Sequence, residues 1–270
     1  MRLGVIGTGH MAREMAAAAD AVTGIKIASV LSREADKARQ FAASFAPGAV
    51  DFSEIEPFLD SLDAVYVATP PGAHMASVSA ALEAGRPVLC EKPLTVSTRD
   101  TDQLVAQARA TGTLLMETLW TLTLPAFRQL QARLEGHKSP ASLMTFDFSF
   151  PFAPPEGSHY LDPATGGVLL DRAVYGYAAA LRLLGAVDSQ QVFVTRDATG
   201  LDRSAEVWLA HRSGARSVIT LSFDRLGSNR LDLALGDAYA SLEPSLGGEA
   251  LSWKAAGGGG AAGACGPPRV

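Results

Sequence analysis

Cysteine is nearly missing from this chain. Cys90 and Cys265 are the two in 270 residues, too few for a disulfide framework, so a reducing, cytoplasmic setting is expected. No apolar run approaches the ~20 residues of a membrane span. The opening MRLGVIGTGH has one Arg and breaks at glycines before an apolar core can form, so it does not read as a secretory signal. Basic charge is in deficit, with 23 Lys and Arg against 28 Asp and Glu and a net charge of −5. That argues against nucleic acid or an anionic lipid surface as the partner. What is there is an ordinary globular composition, 47% hydrophobic and 19% charged, in a chain long enough for two domains.

Up to residue 119 apolar strands alternate with helical segments. The strands are RLGVIG (2–7), IKIASVL (25–31), DAVYVATP (63–70), PVLCE (87–91) and TLLMETL (113–119). Between them lie HMAREMAAAADAV (10–22), READKARQFAASF (33–45), HMASVSAALEAG (74–85) and TRDTDQLVAQARATG (98–112). Ser32 is the expected N-cap of the second helix. The strands are continuously apolar rather than alternating, which predicts an α/β, doubly wound parallel sheet with helices on both faces.

The rhythm changes near residue 120. LPAFRQLQARLEG predicts a helix, SLMTFDFSF (142–150) a half-buried strand, and TGGVLLDRAVYGYAAALRLLG (165–185) a long helix. Five more strand-like pieces follow, at 191–197, 204–212, 216–223, 230–236 and 238–244. A second α/β domain with a large, mostly antiparallel open sheet is expected over 120–250. The segment 251–270 is rich in Gly and Ala without periodicity, and disorder is expected there.

GVIGTGHMA places Gly7, Gly9 and Ala12 between a strand and a helix. Gly7 permits a tight turn, Gly9 admits a pyrophosphate to the backbone, and Ala12 allows close helix packing. Thr8, His10 and Met11 share the turn, where helix N–H groups favour phosphate. The second strand ends Leu31-Ser32-Arg33 with no acid to hold a ribose 2′-OH. Ser32 and Arg33 could instead hold a 2′-phosphate, with Lys37 adding charge, so NADP is favoured over NAD. VLCEKPLT (88–95) sets Glu91, Lys92 and Pro93 at the end of a buried strand, where charge is costly unless paired.

Together, GVIGTGHMA, VATPPGAH (67–74), EKPL (91–94) and GGVLLDRAVY (166–175) resemble the Gfo/Idh/MocA oxidoreductase family over residues 1 to about 245. METLWTLTLPAF (116–127) is similar to its dihydrodiol dehydrogenase and NADP-dependent D-xylose dehydrogenase branch. The resemblance implies a Rossmann domain (1–119) followed by a substrate and oligomerisation domain. Family chains continue with further sheet and helix, so the second domain reads as truncated.

The resemblance assigns Lys92 to the reacting oxygen, Glu91 to the cofactor ribose or to orienting Lys92, and Thr69 and Pro70 to a surface against the cofactor. It gives His74 a helix-capping or cofactor role, and makes the bond before Pro93 a candidate cis bond. Asp171 and Tyr175, four apart on one helix, become the orienting acid and the general acid/base. Ala173 stands where the family has Gly, and Arg172 where a small apolar residue is usual. Trp120 is a candidate substrate wall, although Leu122 replaces a basic residue of that branch. Tyr177, Trp208 and Trp253 read as packing.

The implied activity is hydride transfer between nicotinamide and a secondary alcohol or hemiacetal carbon of a sugar, polyol or cyclic diol. The rival is a catalytically impaired nucleotide-binding sensor or scaffold. No metal is expected, and a homodimer through the C-terminal sheet is implied by analogy.

Overall fold

The computed structural model describes residues 1–60, 62–246, 250–256 and 261–264. The chain divides into two compact units, Met1–Thr118 and a second that begins at Leu119.

The first unit contains β1 (Arg2–Ile6), α1 (His10–Asp20), β2 (Lys26–Leu31), α2 (Ala35–Phe45), β3 (Val50–Phe52) and α3 (Ile55–Leu59). It continues with β4 (Ala64–Val67), α4 (His74–Glu83), β5 (Val88–Cys90), α5 (Thr98–Thr111) and β6 (Leu115–Glu117). The sheet is parallel throughout, in the order β3-β2-β1-β4-β5-β6. Its central strands are mostly apolar because two separate clusters cover its faces. Ile6, Val65, Val67, Leu82 and Leu104 fill one, and Val5, Val30, Ala12, Ala16 and Tyr66 the other. Each fully buried Val or Leu contributes about 1.5–3 kcal/mol. Ala12, Ala16 and Ala19 form the buried stripe of α1, so small side chains let that helix close on the sheet.

Two elements of this unit were not expected. Strand β3 has three residues and α3 five, too short to carry a period. The start of α2 also differs. Glu34 is its N-cap residue, and Ser32 Oγ instead accepts from the Glu34 amide at 3.3 Å in a local turn.

The second unit opens with a 3₁₀ turn at Trp120–Thr123, then α6 (Pro125–Glu135), with Pro125 at the first helical position, where it costs no hydrogen bond. Next come β7 (Ala141–Ser149), a π-helical turn (Leu169–Ala173), α7 (Val174–Leu184), β8 (Val187–Arg196), β9 (Asp202–His211) and β10 (Arg216–Ser222). Strands β11 (Leu231–Leu235), β12 (Ala238–Glu243), β13 (Ala250–Ala255) and β14 (Ala261–Ala264) complete it. The sheet order is β14-β13-β12-β11-β7-β10-β9-β8. Only the β7–β10 pair is parallel.

Alternation along these strands turns Met144, Phe146, Val207, Leu209, Ile219 and Leu233 inward, against α6 and α7. The other face carries Leu143, Phe193, Trp208 and Tyr239, all exposed. Trp208 is therefore not core packing as expected. It is 48% exposed and meets the Phe193 ring edge-on at 6.1 Å. Trp253 does pack, against His137 and beneath Arg133. The expectation of disorder from residue 251 is corrected by β13 and β14, where backbone pairing continues the sheet without needing bulky side chains. Residues 257–260 and 265–270, including Cys265, lie outside the described residues.

Candidate functional site

In the first unit the expected residues gather at the carboxyl end of the parallel sheet, each just after or at the end of a different strand. Gly7 follows β1, Ser32 follows β2, Thr69 follows β4, and Glu91 and Lys92 follow β5. This is the edge at which open α/β sheets bind ligands.

Gly7 has φ +107°, and a Cβ there would stand 2.6 Å from the Ala68 carbonyl oxygen. Only glycine fits both the conformation and the space. A Cβ at Gly9 would meet nothing within 4 Å, so the backbone is open to a ligand there. Helix α1 has no side-chain cap and no acid in its first turn. Its leading N–H groups are thus left for an anion. Thr8 is half-buried, and His10 and Met11 are exposed beside that helix start. Thr69 Oγ1 is buried without a hydrogen-bond partner, a cost normally relieved by a ligand or water. An open glycine backbone, an uncapped helix start and an orphaned hydroxyl at one sheet edge fit a dinucleotide.

At the ribose end of that edge Arg33 is exposed and makes no ion pair among the described residues. Lys37 is engaged by Glu34 at 2.6 Å, so its charge is already shared. Pro70 is exposed at the start of the turn Pro71–Ala73.

His74 departs from both of its expected roles. It caps no helix through its side chain and is fully buried. Its Nδ1 lies 2.9 Å from the Pro93 carbonyl and its Nε2 2.8 Å from the Thr69 carbonyl. The ring ties the loop after β4 to the loop after β5, and neither nitrogen is left for a cofactor. Glu91 is 6% exposed. Tyr66 Oη donates to its Oε1 at 2.5 Å, and the Lys92 amide donates to its Oε2 at 3.3 Å. The carboxylate is therefore committed to Lys92's own backbone rather than open to a ribose. Burial, with the Glu91 carboxylate beside it, pushes the Tyr66 phenol far above its ordinary pKa, so it stays a donor. The Lys92–Pro93 bond is cis, and Lys92 is half-buried.

Two residues here were missed from sequence. Tyr66 was read only as part of an apolar strand. Glu117, the last residue of β6, accepts from the Leu94 amide at 2.8 Å. Burial raises its pKa against the opposing pull of that hydrogen bond, His74 and Lys92. Its signal in the sequence was an acid at the end of a strand of this sheet.

In the second unit Asp171 lies in the π-helical turn and Tyr175 in the first turn of α7. The expected single α-helix from residue 165 is corrected in this respect, because the chain widens over Leu169–Ala173 before tightening. Tyr175 is 8% exposed, with its ring edge-on to Phe148 at 6.0 Å. The turn is seated by Asp202, a residue missed from sequence, whose Oδ2 accepts from the Leu169 amide at 2.7 Å. Gly167 has φ +86°, and a Cβ there would strike that carboxylate. Gly166 lies as tightly against the His159 and Tyr160 carbonyls. The glycine pair thus serves packing. Trp120 is 40% exposed, available as a wall rather than core. Tyr177 is half-buried and donates to Gln190 at 2.8 Å.

Residues 1–119 match the oxidoreductase family with an NAD-binding Rossmann fold, and 141–236 match the GFO/IDH/MocA C-terminal domain. The chain is 31% identical over 231 residues to D-xylose 1-dehydrogenase (NADP(+)) 2 of Haloferax volcanii, covering 83% of this chain and 70% of that one. It is 36% identical over 188 residues to the dTDP-3,4-didehydro-2,6-dideoxy-alpha-D-glucose 3-reductase of Actinomadura kijaniata. That match covers 69% of this chain and spans 57% of the reductase's length. A 3-ketoreductase from Actinomadura kijaniata, solved with NADP and TDP-benzene, superposes with a TM-score of 0.86 at 25% identity, covering 98% of this chain and 85% of that one. With both domain models matched in order on the fold described above, the chain belongs to the Gfo/Idh/MocA oxidoreductase family.

Proposed function

We propose that the chain is an NADP-dependent oxidoreductase acting on a secondary alcohol or hemiacetal carbon of a sugar, polyol or cyclic diol. The observation that carries the cofactor reading is the sheet edge where Gly9 is open, α1 is uncapped and Thr69 Oγ1 is orphaned. The missing acid after β2 and the exposed Arg33 favour NADP. When bound, the nicotinamide supplies a hydride acceptor or donor at C4.

The chain's own residues do the rest. Lys92 donates a hydrogen bond to the reacting oxygen and stabilises charge that develops there. Tyr175 carries the proton, Asp171 orients the substrate, and Trp120 offers a face to a sugar ring. The sugar names of the relatives support this substrate class, and a nucleotide-linked hexose belongs to it on the same ground. Cys90 is a buried free thiol whose pKa burial drives far upward, in keeping with a cytoplasmic protein. Among the described residues no helix is long and apolar enough to cross a membrane. The exposed Leu143, Phe193, Trp208 and Tyr239 face suits a homodimer, and Trp208→Glu is expected to shift sedimentation to the monomer.

Titration with NADPH and NADH, followed by melting temperature, tests the cofactor reading, with tighter saturable NADPH binding expected. NADP reduction with D-xylose, scyllo-inositol and a dihydrobenzenediol tests the activity. Lys92→Met is expected to lower kcat by about 10²–10⁴-fold, and an unchanged rate would overturn the role of Lys92. The second reading, a cofactor-binding sensor without turnover, draws on the burial of Tyr175. Cofactor binding with no turnover across the donor panel would favour it.

A further inference from the structure

Arg172 is the largest fully buried side chain among the described residues, at 1% exposure. It belongs to the π-helical turn, a wide-bored conformation that persists only where something holds it. Its Nη1 donates to the Ser222 carbonyl at 2.5 Å and to the Phe148 and Phe150 carbonyls at 3.3 Å each. Those carbonyls lie at or just beyond the carboxyl ends of β10 and β7, the parallel pair. One nitrogen thus bolts the turn to the ends of two strands. Aromatic rings surround the guanidinium, with its carbon 3.8 Å from the Phe150 centroid, 4.5 Å from Phe223 and 4.9 Å from Phe148.

Such a cage favours a cation, but a buried charge still needs a counter-ion. Arg172 Nε is buried without a hydrogen-bond acceptor. Asp171 Oδ2 stands 3.7 Å from it, too far for a hydrogen bond and close enough for an ion pair. Among the described residues no other carboxylate comes within salt-bridge distance of Arg172. Burial pulls the guanidinium down to about 10, and the Asp171 charge works against that fall. Phe148 completes the connection, because it lies under Arg172 and edge-on to Tyr175.

We infer that Arg172 is a positioning residue for the candidate site, holding the π-helical turn on the sheet with the Asp171 side chain beside it, and bracing Tyr175 through Phe148. The inference rests on the roles proposed for Asp171 and Tyr175.

A double-mutant cycle on the full chain tests the inference. Asp171→Asn alone is expected to lower the melting temperature by roughly 5–10 °C. Adding Arg172→Met to it should recover most of that loss. Arg172→Met alone should raise amide exchange over 169–175 and leave the rest of the second unit unchanged, and Arg172→Lys should restore protection. With a donor that the wild type turns over, Arg172→Met should lower kcat at least tenfold while KM for NADP stays within twofold. Additive losses in the cycle, or faster exchange spread evenly across the second unit, would overturn the inference. If the wild type turns over no donor, the proposed activity fails, while the cycle and the exchange pattern still decide the role of Arg172. Should Arg172→Met not fold, the cycle is run with Arg172→Lys. There a loss from Asp171→Asn similar to that in the wild type supports a charge pair, and no loss overturns it.

Discussion

Around Lys92 the backbone is held by many short local ties, whereas around Asp171 one buried cation does most of the holding. Lys92 follows a strand whose neighbours on both sides are parallel, and Glu91, Tyr66 and His74 stitch its loop to the sheet. Asp171 sits in an irregular turn that the hydrogen-bond pattern of α7 does not extend to, so Arg172, reaching out to strand-end carbonyls, and Asp202, reaching in from β9, supply the fixing. The first region spreads its dependence over several contacts. The second concentrates it, and single substitutions there should act more selectively on the site.

Four measurements would break or sharpen that contrast. Gly7→Ala should have the largest effect, about 2–4 kcal/mol of stability, because strain at φ +107° adds to a clash with the Ala68 carbonyl. Denaturant unfolding and loss of NADPH binding check it, and a fully retained affinity would remove Gly7 from the cradle. Tyr66→Phe should cost about 1.5–3 kcal/mol, the value of a hydrogen bond to a buried charged group. In activity it should lower kcat rather than raise KM for NADP, if Glu91 positions Lys92. Asp202→Ala should cost about 1–2 kcal/mol by leaving the Leu169 amide without its acceptor. Faster amide exchange confined to the π-helical turn would show it.

The smallest effect is in pH dependence, where the two units should respond in opposite senses. Burial raises the Glu117 pKa. Its stabilising contribution is therefore fully present below the ordinary Glu value and is lost as pH rises through its folded pKa. Burial also pushes the Asp147 carboxyl up, but hydrogen bonds from Ser149, Ser228 and Asn229 outweigh it and hold the pKa below the ordinary value. Its contribution is present above about pH 4 and is lost as pH falls through its folded pKa. Glu117→Gln should thus gain relative stability toward neutral pH, and Asp147→Asn should flatten the acid limb of the melting curve. Parallel responses of the two variants would refute the contrast.

The strands of the first unit were legible because burial on both faces leaves a continuous apolar run, and Gly7 and Gly9 because a tight turn and an open backbone admit little else. Strand β3, of three residues, and α3, of five, were not legible, being too short to repeat their own pattern. Ser32 was a good N-cap by type, yet its hydroxyl found the Glu34 amide in a turn before the helix began. His74 does start α4, as one reading had it, but the closing of the Thr69 and Pro93 carbonyls on its ring was not legible, because Pro93 lies 19 residues on. Trp208 looked like core until the alternation of its strand put it on the open face.

By itself the sequence determined the two-unit α/β plan, the dinucleotide cradle and the residue types offered for chemistry. Those depend on periodicity, glycine conformation and side-chain identity, all of which are local. Only the tertiary structure decided which of them are committed to one another. Glu91 is taken by Tyr66, and Arg172 by three strand-end carbonyls. Pairing of buried polar groups is settled by distance after folding, and residues 22 to 50 positions apart can meet only then.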